Sequence, residues 1–143
     1  MATGTMLAFN QTTKLLGDGA VDFGGHTFKV VACSTLPVAT NTLKSQLTAS
    51  TNLVAATLTL ASVTWATVDT NDAEFDAADV TFTASGGSST IAGFAIFDEN
   101  LTSPLDGVIF FGDVDTATAS ITLADGEKLK LVFNANGIAR ITT

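Results

Sequence analysis

Few side chains in this sequence could carry chemistry: one histidine, one cysteine, and fourteen acidic residues set against six basic ones. Nucleophilic catalysis needs a nucleophile, a base within hydrogen-bond reach and a group that orients the base. His26 is the one side chain whose ordinary pKa suits that base. It stands in GGHTF at the entry to an apolar run, a turn position that predicts a solvated imidazole. Neither a nucleophile-elbow sequence nor a reactive Cys-His spacing accompanies it. Cys33 falls inside FKVVAC, where a small buried thiol is the ordinary case, and a lone cysteine cannot close an internal disulfide. With one histidine and one cysteine, a zinc site is not expected.

The acidic run Asp69, Asp72, Glu74, Asp76 and Asp79 is the other chemical possibility, since clustered carboxylates are what a hard cation such as Ca²⁺ wants. The EF-hand spacing fails. Counting from Asp69, Ala73 occupies the third ligand position, Glu74 replaces the turn glycine and Val80 stands where the bidentate glutamate belongs. The run reads instead as a solvated loop that keeps sheet edges apart by repulsion. Two carboxylates could also hydrolyse a glycoside, but a sugar needs aromatic rings to stack on, and the chain has one Trp and no Tyr. No Lys-Ser or Lys-Thr follows the glycine-rich pieces GDG, GG and SGGSS, so they read as turns and not as phosphate cradles. The sequence thus offers no catalytic, cofactor-binding or metal-binding residue to assign, and it reads as a non-enzyme without a cofactor.

The elements that surround these residues are mostly strands. Val80 and Phe82 alternate with Asp79, Thr81 and Thr83, the period of a strand with one wet face. Ile91 to Phe97 is apolar on both faces, Phe94 and Ile96 against Ala95 and Phe97, which predicts a central strand covered on both sides. The ASGGSS break between the two predicts a turn that lets the second strand return. Further strands are predicted over Phe28–Cys33, Leu53–Leu60, Val63–Val68, Ala78–Ala84, Gly107–Asp113, Ala119–Leu123, Leu129–Asn134 and Ile138–Thr142. Asp125-Gly126 and Asn136-Gly137 are turn dipeptides, the second placed to close a hairpin. A short helix is predicted within Leu7–Leu16, stopped by Gly17, and another from Thr40-Asn41 through Gln46 with Leu43 and Leu47 on one face. Trp65 falls in a strand and reads as a core anchor sharing one core with Val80, Phe82, Leu129, Leu131 and Phe133. The expected fold is mainly β, an antiparallel β-sandwich or jelly-roll-like barrel with one or two short helices near the N-terminus. A loose arm over residues 1–6 is expected to precede a single β domain over residues 7–143.

Composition limits the partners. A hydrophobic fraction of 46% with 14% charged residues excludes a disordered chain, and 143 residues suffice to bury a core without staples. A net charge of −8 leaves no basic stripe for phosphates, so nucleic-acid binding is not expected. Residues 45–68 carry no charge, yet eleven of those 24 are Ser, Thr, Asn or Gln, too polar for a membrane span. The opening MATGTM lacks the basic and continuous apolar regions of a signal peptide.

Ordered pieces of the chain carry a resemblance. They are Leu15, Leu16, Gly17, Asp18, Gly19, Val21, Asp22 and Phe23; His26 to Val30; Val63-Thr64-Trp65; Phe75 to Gly87; Ala95 to Asp98; Gly107 to Gly112; Thr122 to Glu127; Phe133 to Ile138; and Ile141-Thr142. Together, over residues 15–142, they resemble a family of small tailed-phage virion proteins, most of them structural proteins without an assigned role. Aromatic positions often filled by Tyr in that family hold Phe here. The resemblance implies a virion β protein, assembled in the host cytoplasm. Within that setting, a compact β domain rich in neutral hydroxyls, with no active-site constellation, no basic patch and a loose N-terminal arm, suits docking on other proteins. The expected role is a capsid decoration (cement) protein on the outer head surface, homo-oligomeric and in contact with the major capsid protein or other virion proteins. A tail, neck or fibre-base component, or a receptor- or carbohydrate-binding module at the virion surface, are the alternatives.

Overall fold

The computed structural model describes residues 6–70, 72–115 and 117–141. The chain is mainly antiparallel β and sandwich-like, as its alternation predicts. In order, it forms β1 (Met6–Ala8), α1 (Thr12–Gly17), β2 (Phe28–Cys33), β3 (Thr57–Thr59), β4 (Thr64–Asp69), β5 (Asp72–Asp76), β6 (Val80–Thr83), β7 (Ser89–Ile91), β8 (Gly93–Thr102), β9 (Leu105–Asp113), β10 (Ile121–Leu123), β11 (Lys128–Leu131) and β12 (Ala139–Ile141).

One layer is a five-stranded sheet ordered β1-β9-β8-β2-β3. The β8 strand sits at its centre, and both its faces are buried because both are apolar. Phe94 and Ile96 join the main core, while Ala95 and Phe97 join a second, smaller core with Phe9, Val31, Cys33, Val108 and Phe111. Three shorter ladders, β12-β5-β4, β11-β6 and β10-β7, supply the rest. They close over the main core with Phe75, Val80, Phe82, Ile91, Leu123, Phe133 and Ile138. At its heart Phe23 packs on Phe28, Phe75 and Phe110 at ring-centre distances of 5.5, 4.4 and 6.3 Å.

Several expectations change. The Leu7–Leu16 stretch divides into the edge strand β1, paired with β9, and one helix that begins at Thr12. That helix runs through Gly17 and is closed at Gly19, whose φ of 67° suits glycine and whose N–H donates to the Leu16 carbonyl at 3.1 Å. Thr40–Gln46 holds only a single 3₁₀ turn at Lys44–Gln46. Gln46 Oε1 accepts the N–H groups of Thr42 and Leu43 at 2.6 and 3.0 Å, a cap on the start of this single turn. ASGGSS does not return one strand upon the next: β6 pairs with β11, whereas β7 pairs with β10. The turn faces the Asp125-Gly126 turn across the break, with Gly86 N–H donating to Asp125 Oδ1 at 2.9 Å. Asn136-Gly137 closes only a single antiparallel bridge, Asn134 with Gly137, and not a hairpin of two strands: β11 and β12 belong to different ladders, and the turn carries the chain from β11, beside β6, to β12, beside β5. Met6, expected in the loose arm, lies in β1; the remainder of that arm, residues 1–5, lies outside the described residues.

Candidate functional site

Among the described residues, Asp98 is the one fully buried carboxylate, and it explains His26. The imidazole Nδ1 lies 2.6 Å from Asp98 Oδ2, with the histidine side chain only 26% exposed. His26 is therefore not a free solvated turn residue. A carboxylate without water requires a charged or donor partner, and the ring supplies it. The geometry around the pair is built from backbone. Asp22 Oδ1 accepts the N–H groups of Gly24 and Gly25 at 2.9 and 3.0 Å, and the Asp22 carbonyl accepts the His26 N–H at 2.9 Å. A Cβ at Gly25 would stand 2.5 Å from Asp22 Oδ2, so a side chain there would push the Asp22 carboxylate from its place. On the other side Asp98 Oδ1 accepts the Asn100 N–H at 2.9 Å, and Asn100 Oδ1 accepts the Thr27 N–H at 2.8 Å. The pair pins the 22–27 turn onto β8. The single clue in the sequence is a carboxylate ending an otherwise apolar AIFD run.

Cys33 is buried as expected, on the smaller core, and its Sγ faces the Val31 carbonyl at 3.7 Å. Burial pushes its thiol up to about 12 from an ordinary 9.0, so the reactive thiolate is about a thousandfold scarcer. Iodoacetamide should therefore leave the native protein unlabelled over a time in which the urea-unfolded chain is fully labelled. Equal rates in the two states would contradict this burial.

Most of the acidic run is strand and not loop: Asp69 ends β4, and only Asp79 lies in a connection, between β5 and β6. Asp72, Glu74 and Asp76 lie on β5, paired on one side with β4 and on the other with β12. Phe75 turns inward, so the three carboxylates share the outer face. Arg140 of β12 donates to Asp72 at 2.7 Å, and the Glu74 side chain lies against Gly137. Asp79 stands apart, accepting the Phe133 N–H at 3.1 Å and pairing with Lys130 at 2.9 Å. Among the described residues, no group of three His, Cys, Asp or Glu is placed to hold a metal ion.

The Lys130 side chain and the Phe133 N–H hold the Asp79 carboxyl below the usual carboxylate range. A depressed carboxylate stabilises the fold above its unfolded pKa, and that contribution fades as pH falls through its folded one. Asp79→Asn is thus expected to flatten the acid limb of the stability curve, below about pH 4, without changing stability's slope near neutrality. A parallel acid limb in the variant would show that the pair contributes nothing.

Trp65 differs most from expectation. It is 39% exposed and covers the outer side of Phe23, with ring centres 5.0 Å apart. Leu7, Leu36 and Val38 are each at least half exposed. Leu7 pairs with Phe111 on the face of the smaller core, and Leu36 lies over Gly93 of β8. No family model, curated protein or solved structure matches this chain.

Proposed function

We propose that this is a non-enzymatic virion structural protein that decorates the outside of a phage capsid. The observation that carries the reading is a set of exposed aliphatic side chains: Leu7 on the three-residue edge strand β1, opposite Phe111 of the smaller core, Leu36 over Gly93 of β8, and Val38 two residues further along the chain. Exposed aliphatic groups around a short open edge suit docking onto another protein. The resemblance of residues 15–142 to small tailed-phage virion proteins supplies the virion setting. A net charge of −8 suits an outer, solvent-facing position, away from packaged nucleic acid. Among the described residues, Trp65 is the lone aromatic in the set of large exposed apolar side chains, and this favours docking over sugar or receptor capture, which uses several rings together.

The test is co-sedimentation with undecorated capsids and, separately, with purified tails. The intact protein should pellet with capsids. Leu36→Asp/Val38→Asp should weaken that binding by tenfold or more, the scale of about 1.4 kcal/mol, while circular dichroism stays unchanged. Binding to tails and not to capsids would assign the protein to the tail. Binding to neither would end the virion reading.

A further inference from the structure

Among the described strands, β4 is the longest that pairs on one side only. All six of its residues are exposed, and Thr64–Thr67 carries neither charge nor proline, the usual guards of an open edge. Its register with β5, Thr64 opposite Asp76 and Ala66 opposite Glu74, gives the edge two different faces. On the outer face the small side chains of Thr64 and Ala66 stand beside the β5 carboxylates. On the inner face Trp65, opposite Phe75, presents an aromatic flank.

From this juxtaposition we infer that β4 is a strand-addition site for an extended segment of another protein that alternates Lys or Arg with apolar residues. An added strand would lie about two strand spacings, or roughly 9.6 Å, from β5. Thr64 and Ala66 are short, so a Lys or Arg on the added strand can extend across them toward the negative outer face of β5, while its apolar neighbours rest against Trp65. The one cation on this outer face among the three strands is Arg140, and it is engaged by Asp72. Arg140 also stands opposite Glu74 in register, so three carboxylates share one cation and the face carries excess negative charge; Asp76 Oδ1 is buried there without a hydrogen-bond partner. A second copy of this chain answers that charge poorly: its own β4 would bring Thr64 and Ala66 and no cation. The bulge between Thr67 and Asp69 twists the strand's far end away and limits the site to its first residues. The inference is independent of the head-surface reading, which rests on the opposite core's face.

The experiment uses the intact protein and a capped peptide of about seven alternating Lys and Val residues, enough to span Thr64–Thr67 with residues to spare at its ends. Its controls are a Glu/Val peptide of the same length and a Lys/Val peptide N-methylated at alternate residues. Amide chemical shifts should move on residues 64–69 and 72–76 with the Lys/Val peptide. Binding should fall about tenfold with Glu74→Gln/Asp76→Asn and also with added salt, as exposed charge pairs are screened. Both control peptides should bind at least about tenfold more weakly. No binding, equal binding of the Glu/Val or N-methylated peptide, or shifts confined to other surfaces would overturn the inference. Concentration-dependent shifts in 64–69 without peptide would assign the edge to a second copy instead, and so would also overturn it.

Discussion

Phe75→Ala is expected to cost about 3 to 5 kcal/mol, the range for emptying a buried aromatic site that cannot collapse. The side chain is fully buried and touches the rings of Phe23, Phe28 and Phe110 at 4.4, 5.1 and 6.0 Å, so its removal opens a void bounded by three other rings. Trp65→Ala, although it deletes a larger side chain, should cost only about 1 to 2 kcal/mol. Trp65 already shares much of its surface with water, and what it loses is its cover over Phe23. Urea titration of both variants, compared at equal m-values, distinguishes them. If Trp65→Ala costs as much as Phe75→Ala, the tryptophan is a core anchor and the open β4 edge is not as it stands here.

This pair of residues shows what alternation in a sequence conveys. Periodicity predicts that Trp65 faces the core side of its strand, and it does, opposite Phe75. It says nothing of depth: β4 ends its ladder, and a residue on the inner face of an edge strand can overhang the core's rim. For β8 the question of depth did not arise, because residues apolar on both faces require cover on both. Cys33 was legible for the same reason, inside a strand with five of six residues buried. Val80, Phe82 and Phe133 are buried in the main core as their alternation predicts, with Leu129 and Leu131 packed partly buried against it.

Pairing was far less legible than strand content. A turn dipeptide specifies a local reversal but not the partner of the strand that follows, and here ASGGSS and Asn136-Gly137 each pass the chain between ladders. Met6–Ala8 is three residues whose partner, Phe110 to Gly112, lies more than a hundred positions away, so no local signal distinguishes it from a helix start. The acidic run looked like a loop by charge. Its alternation with Ala73 and Phe75 was the strand signal, and that signal proved stronger. The His26–Asp98 pair joins residues 72 positions apart, and only the fold brings them together.

That pair gives the second large effect. His26→Ala should cost about 3 kcal/mol, the upper end of what leaving a buried polar group short of a partner costs, because it leaves the fully buried Asp98 with the Asn100 N–H as its remaining donor. The loss comes from stranding a buried carboxyl group and not from the contact removed. Asp98→Asn replaces that group with a neutral amide of the same shape, which still accepts from Asn100 and should alone cost about 1 kcal/mol. Combining the two changes should then cost less than their sum by about 1 kcal/mol or more, since the stranded group is no longer a carboxyl. Chemical denaturation of the wild type, both single variants and the double variant measures that coupling directly. Simple additivity would mean that Asp98 and His26 are neighbours without an energetic bond, and that the 22–27 turn is held on β8 by its backbone hydrogen bonds alone.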